Sequence, residues 1–206
     1  MSIRKMVMIK EELAPGIIVY SNVIPNSETL YTDIEEGMNA ANIKWQGAFV
    51  KEAEDVKVNT MTRNTQTIGI PYRGQIEDTP IETPHQAFEL NLNNLLFENC
   101  DPLEKDYMNH YGVSCQWHDT YAILKYGAGQ FFTNHIDDHK DYPRRVSTVY
   151  YLNDNYTGGE INFPRFNITF KPKANQMIVF PSTYVYNHSV TPVVEGERYA
   201  VVSWLR

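Results

Sequence analysis

The chain has 206 residues, 42% of them hydrophobic and 21% charged, with a net charge of −7. That length suits one domain or two small ones and can bury a sizeable core without covalent staples. The acidic balance argues against an electrostatic grip on nucleic acid. Two cysteines, Cys100 and Cys115, make neither a disulfide framework nor a zinc cluster.

The N-terminal stretch MSIRKMVMIKEELAPG lacks the long apolar run of a signal peptide or membrane span. The expectation is therefore a reducing, cytoplasmic setting without a membrane partner. Residues 17–24, IIVYSNVI, read as a first strand. Residues 25–42 read as a helix that Asn26 or Ser27 caps, with Leu30, Ile34 and Met38 on one face. Residues 43–50 read as a strand. Residues 51–84 are polar and rich in Gly and Pro, which predicts a long loop with at most a short hairpin. Such a loop is a surface connection or a lid over a site.

Residues 84–110 carry the clearest helical spacing, through Phe88, Leu92, Leu95 and Leu96. Pro102 predicts a break there, followed by a second helix to about Tyr111. His85 and His110 fall on this polar helical part and read as surface histidines. From Gln116 onward the pattern changes to short strands separated by turns. Seven or eight strands in ninety residues, with an aromatic share of 13%, predict a two-sheet barrel or jelly roll.

Within that part lies His135-Ile136-Asp137. On an extended backbone the first and third side chains share a face, so an imidazole and a carboxylate converge. A lone His-x-Asp is a weak signal, but it supplies two-thirds of the 2-His-1-carboxylate set that suits non-haem Fe(II). Only His139 and His188 lie downstream. His139 sits in the charged run DDHKDYPRR, so His188 is the candidate third ligand. Arg198 opens the last strand and shares a face with Ala200, Val202 and Trp204. An arginine inside an apolar strand either faces solvent or has an anionic partner, and its planar fork suits a carboxylate. The Tyr151 phenol is placed to donate to the same carboxylate, and Tyr126 to reach the metal-proximal end; core packing is the ordinary role for both.

The segment Tyr126-x-x-Gly129-Gln130-x-Phe132-x-x-His135-x-Asp137 is followed by Tyr150-Tyr151-Leu152-Asn153, Gly158-Gly159-Glu160, Phe163-Pro164 and Lys171-Pro172. His188-x-Val190-x-Pro192-Val193 and Gly196-x-Arg198-Tyr199-Ala200 with Trp204 complete the pattern. Together these resemble the 2-oxoglutarate- and Fe(II)-dependent oxygenase superfamily, in its prolyl 4-hydroxylase-like branch. The resemblance covers about the last ninety residues.

It implies a mainly β fold with flanking helices (α+β) around a double-stranded β-helix, or jelly-roll, core. Residues 1–115 would be helical N-terminal support and residues 116–206 the core of one domain. It implies His135, Asp137 and His188 as iron ligands. Arg198 and Tyr151 would form the clamp for 2-oxoglutarate, with Tyr126 and Trp204 lining the pocket. Arg145 matches a position that contacts peptide in some relatives, although Arg144 is adjacent. The cofactors implied are Fe(II), 2-oxoglutarate and O2, with ascorbate as an accessory reductant. The expected reaction is hydroxylation of a C–H bond, of a prolyl residue in a peptide or protein by family analogy. The alternatives are an oxygenase acting on another amino acid or small molecule, a non-catalytic binding module on the same barrel, and a zinc hydrolase. The last leaves Arg198 without a role.

Overall fold

Side-chain alternation sets the layers. In the strand β2 (Ile17–Ser21) the first four side chains are all buried. Ile17 and Val19 join one apolar cluster and Ile18 and Tyr20 another. A strand covered on both faces belongs inside a layered fold. The computed structural model describes residues 7–48, 50–52, 55–71 and 81–206.

β2 is preceded by β1 (Ile9–Ala14) and followed by the helix α1 (Leu30–Ala40). Then come β3 (Gln46–Gly47), β4 (Val50–Glu52), β5 (Asp55–Lys57), β6 (Arg63–Asn64) and β7 (Gln66–Ile70). The long helix α2 (Pro84–Tyr111) leads into β8 (Tyr121–Tyr126), β9 (Phe131–His135) and β10 (Val146–Tyr151). β11 (Thr157–Gly158), β12 (Ile161–Phe163), β13 (Ile168–Phe170) and β14 (Gln176–Pro181) follow. β15 (His188–Val190), β16 (Val193–Glu195) and β17 (Arg198–Leu205) close the chain.

The large sheet runs β1-β2-β14-β10-β17-β8-β7-β3 and the smaller one β13-β12-β15-β9-β6. Every pairing is antiparallel. The helices pack on the outer face of the large sheet through Leu30, Ile34, Met38, Leu92, Leu96, Leu103 and Tyr107. Tyr20, Tyr150, Met177, Tyr199 and Val201 meet them there. The inner face, with Val19, Leu124, Tyr151, Phe180, Ala200 and Val202, packs on Ile161, Phe163 and Val190 of the small sheet. This is the expected jelly roll with flanking helices. At the Asn175 turn φ is +62°, a conformation asparagine tolerates. Its side-chain amide hydrogen-bonds both the N–H and the C=O of Ile24.

Several expectations are corrected. The segment 84–111 is one helix that carries Pro102 in its interior. Proline removes one backbone hydrogen bond, but Leu92, Leu96, Cys100, Leu103 and Tyr107 form a single buried stripe across it, and that packing holds the two halves in line. The start of the helix obeys the sequence: Thr83 and Gln86 form a reciprocal capping box ahead of Pro84. α1 begins at Leu30 rather than near residue 25, and Thr29 stands at its N-cap without a side-chain cap bond. Only Gln46–Gly47 of residues 43–48 is strand.

The polar stretch 51–71 contains the expected hairpin, β4 with β5, but also β6 and β7. β7 pairs along its whole length with β8, so a tertiary partner overrides its weak local pattern. Residues 72–80 of the expected lid lie outside the described residues. The N-terminal 115 residues, expected as helical support, also supply β1, β2, β3 and β7 to the large sheet. Among the described residues no helix is long and apolar enough to cross a membrane.

One polar pair ties α2 to the core. Nε2 of His118 lies 3.3 Å from a Glu104 carboxylate oxygen, and both side chains are almost fully buried. Burial pushes the His118 pKa down, but the Glu104 hydrogen bond and charge, with the Asp119 carbonyl, outweigh it and leave a net rise. The bound proton therefore stabilises the fold fully below the unfolded value of about 6.5, and this is lost as pH rises through the higher folded value. In thermal unfolding between pH 6 and 9, the advantage of the wild type over His118→Gln should be largest at pH 6 and shrink upward. A gap that stays constant with pH refutes the linkage.

Candidate metal centre and adjoining cavity

The ligand set is assembled by register. β9 and β15 pair so that His135 stands directly opposite His188. Directly opposed residues project to the same face with Cβ atoms about 5 Å apart, and here the two rings lie with centroids 4.2 Å apart. β9 ends at His135, and Asp137 follows two residues later. One Asp137 carboxylate oxygen is 3.4 Å from Nε2 of His135, and the other is 3.8 Å from Nε2 of His188. One donor atom from each residue lies within 4.8 Å of the others. Among the described residues this is the one such cluster of His, Cys, Asp or Glu.

The protonation pattern suits a cation. Nδ1 of His135 faces the Thr133 carbonyl at 2.8 Å, and Nδ1 of His188 faces the Tyr186 carbonyl at 3.1 Å. With Nδ1–H donating in both, each Nε2 is left as a lone-pair donor, the usual arrangement of a ligating histidine. Burial and the neighbouring His135 push the His188 pKa down to about 4, so its ring is neutral at neutral pH. Burial raises the Asp137 pKa, but His188 and His135, with a Ser147 hydrogen bond, outweigh it and hold the carboxyl well below the usual range. Phe132 stacks on the His135 ring, with centroids 3.6 Å apart and planes 14° apart, and so fixes its orientation. The donor set of two imidazoles and one carboxylate fits a divalent first-row metal.

Beside the trio opens a cavity of about 640 Å³. Leu124, Tyr126, Ile161, Val190 and Val202 form its apolar walls. Arg198 lies at its base, with 2% of its surface exposed. Its guanidinium carbon is 4.8 Å from the Tyr126 ring centroid and 5.2 Å from that of Tyr151. Nε and Nη1 of Arg198 have no hydrogen-bond partner among the described residues. A buried cation that meets only tyrosines is costly, so the geometry calls for an anion in this cavity.

The sequence-predicted residues His135, Asp137, His188, Arg198, Tyr126 and Trp204 all line this one space. Tyr151 is fully buried behind it, under the guanidinium. Arg145 is not part of the site. Its side chain turns away to donate to the Ser114 carbonyl, because β10 starts at Val146 and its backbone already bonds Leu205 and Ser182.

The adjacent Arg144 lines the cavity instead. Its guanidinium stacks 3.5 Å from the Trp204 ring centroid and is braced by Asp119. Nη1 also donates to the backbone carbonyl of Asp137. His139 lines the cavity mouth but stands outside the trio; His85 is exposed and pairs with Glu89. Sequence reasoning missed Asp119, and Tyr156 beside Arg198; Thr62 and Arg63 at the rim belong to the stretch expected as a lid. Thr62 and Arg63 arrive through the unexpected β6–β9 pairing.

Residues 121–206 match the family described as the 2OG-Fe(II) oxygenase superfamily. The chain is 38% identical over 85 residues to a PKHD-type hydroxylase of Prochlorococcus marinus (strain NATL2A), an overlap of 38% of each protein. It is 33% identical over 90 residues to a PKHD-type hydroxylase of Maricaulis maris (strain MCS10), covering 41% of this chain and 40% of that one. These matches thus span about two-fifths of the relatives' length. In fold, it resembles the crystal structure of a Pseudomonas putida prolyl-4-hydroxylase. That match has a TM-score of 0.68 and 21% identity, over 93% of this chain and 92% of that one. A Trichoplax adhaerens prolyl hydroxylase, solved with a hypoxia-inducible-factor peptide fragment, gives TM-score 0.68 and 21% identity over 92% and 83%.

A metal bound here stabilises the folded state by mass action. Mn(II), a redox-inert probe, at one hundred times its Kd should add about 2.7 kcal/mol and raise the melting temperature. EDTA should reverse the shift, and His188→Ala and Asp137→Ala should show none. An equal Mn(II) shift in His188→Ala would place the metal elsewhere.

Proposed function

From the match of residues 121–206 to the 2OG-Fe(II) oxygenase superfamily, we propose that this protein is an Fe(II)- and 2-oxoglutarate-dependent dioxygenase that hydroxylates a C–H bond. The observation that carries the reading is a buried guanidinium without an anion, in the same cavity as a His-Asp-His cluster. Nε2 of His135, Nε2 of His188 and the Asp137 carboxylate would hold the iron. Iron(II) so held supplies O2 activation coupled to oxidative decarboxylation of 2-oxoglutarate to succinate and CO2.

The chain's own residues bind, orient and exclude water. Arg198 and Tyr151 take the distal carboxylate of 2-oxoglutarate, offering a cation and a hydroxyl where solvent does not compete. Leu124, Ile161 and Val202 keep the walls apolar. Trp204, stacked under Arg144, forms a rigid side wall. The Nδ1 contacts to backbone carbonyls keep the Nε2 lone pairs turned to the metal position, so no proton relay is required of the protein.

The substrate is a prolyl residue in a peptide or protein. Two features support this: the sequence likeness to hydroxylases, and a rim of polar and charged side chains suited to a peptide backbone. That rim includes Thr62, Arg63, Asp138, His139, Lys140 and Asp141. One structural neighbour is solved with a peptide. A reducing, cytoplasmic setting, which keeps iron ferrous, belongs to the same proposal.

The iron-loaded protein should release succinate from 2-oxoglutarate in an O2-dependent way, and mass spectrometry should find peptides heavier by one oxygen atom. Arg198→Ala should lower succinate release at subsaturating 2-oxoglutarate about a hundredfold, the loss of roughly 3 kcal/mol from charged hydrogen bonds. Full activity in Arg198→Ala, or none in the wild type across a broad peptide panel, sinks the proposal.

A further inference from the structure

Arg198 is not alone in lacking partners. Among the described residues, Nε and Nη1 of Arg198, the hydroxyl of Tyr151 and the hydroxyl of Tyr156 are all buried without a hydrogen-bond partner. Tyr151 is fully buried and Tyr156 is 6% exposed. The two phenols flank one guanidinium, and its charge pulls against the burial that raises their pKa values. Both hydroxyls lie close enough to the guanidinium to interact with it, but neither meets it in good hydrogen-bond geometry. Buried polar groups are normally satisfied, so two unpartnered phenols beside a buried guanidinium mark a place for an acceptor. A carboxylate offers two oxygens with about four lone-pair sites, enough to accept from one edge of the guanidinium and from both phenols.

Tyr156 is built to hold its position. Lys171 caps the far face of its ring, with Nζ 3.7 Å from the centroid. The same Nζ donates to the Tyr156 and Gly158 carbonyls. On the other side the chain must be glycine. A Cβ on Gly159 would come within 3.0 Å of Arg198 Cδ and 3.1 Å of Tyr156 Cε2, and its φ of +66° already favours glycine. The missing side chain lets the phenol and the arginine stem lie side by side.

We propose that Tyr156 is a third arm of the carboxylate clamp, donating its hydroxyl to the distal carboxylate of 2-oxoglutarate together with Arg198 and Tyr151. This rests on the oxygenase reading above. Tyr156 thereby contributes to selecting a dicarboxylic 2-oxo acid over a monocarboxylic one. It acts at the carboxylate end and leaves the metal ligands untouched.

The test is calorimetric titration of Mn(II)-loaded wild type and Tyr156→Phe with 2-oxoglutarate and with 2-oxobutyrate, which lacks the distal carboxylate. The variant should bind 2-oxoglutarate about tenfold more weakly, the loss of one hydrogen bond to a charged group. It should bind 2-oxobutyrate and Mn(II) as the wild type does. Ligand-free Tyr156→Phe should unfold at the wild-type temperature or above, since the substitution removes a buried hydroxyl that has no partner. Unchanged 2-oxoglutarate affinity, equal weakening of both acids, or a lower melting temperature of the ligand-free variant would overturn the assignment. A wild type that binds 2-oxoglutarate no better than 2-oxobutyrate would instead remove the oxygenase reading itself.

Discussion

The site depends on one strand register. Because β9 and β15 pair with His135 opposite His188, two imidazoles from residues far apart in sequence face the same space. A slip of one residue in that pairing would turn one ring to the opposite face of the small sheet. Antiparallel pairing on both flanks, with β12 beyond β15 and β6 beyond β9, holds the register. The i to i−2 contacts from each Nδ1 to a backbone carbonyl then translate backbone position into ring orientation. The local backbone thus sets the direction of each lone pair, and side-chain packing, through Phe132, secures it.

The second constraint is the guanidinium on β17. Ala200 and Val202 follow Arg198 on the inner face, and Tyr199 and Val201 face the helices. The strand is sealed on both sides, so the arginine cannot escape to water. Such a residue destabilises the empty protein and is tolerated because the surrounding jelly roll is otherwise apolar and well packed. The outer layer contributes by rigidity. Glu35 of α1 binds both the Tyr199 hydroxyl and Lys125, which ties the neighbouring strands β17 and β8 to a helix just behind the base of the cavity. Stability far from the chemistry thereby fixes the place of the clamp.

Legibility differed by type of signal. The β-rich C-terminal part was readable because its strands are apolar on both faces and punctuated by Gly, Pro and Asn. Strands β6 and β7 were not, since their stretch is mostly polar and acquires strand form by pairing with neighbours already in the sheet. Pro102 misled for the reverse reason: a local breaker was overruled by a continuous buried stripe from Leu92 to Tyr107. Arg145 was chosen over Arg144 by matching positions. Only the path of the backbone into Val146 shows which of the two turns inward.

The sequence by itself determined the chemistry on offer: a His-x-Asp at the end of a strand, only two histidines downstream of it, and an arginine in an apolar strand. Those are facts of residue type and period-two alternation, and they are local. Only the tertiary structure decided that these groups meet. Convergence depends on cross-strand register and on which layers cover each face, neither of which is encoded within any one segment. It also decided that Tyr156 shares the space of Arg198, for nothing in the spacing of a loop tyrosine tells that its hydroxyl is buried without a partner.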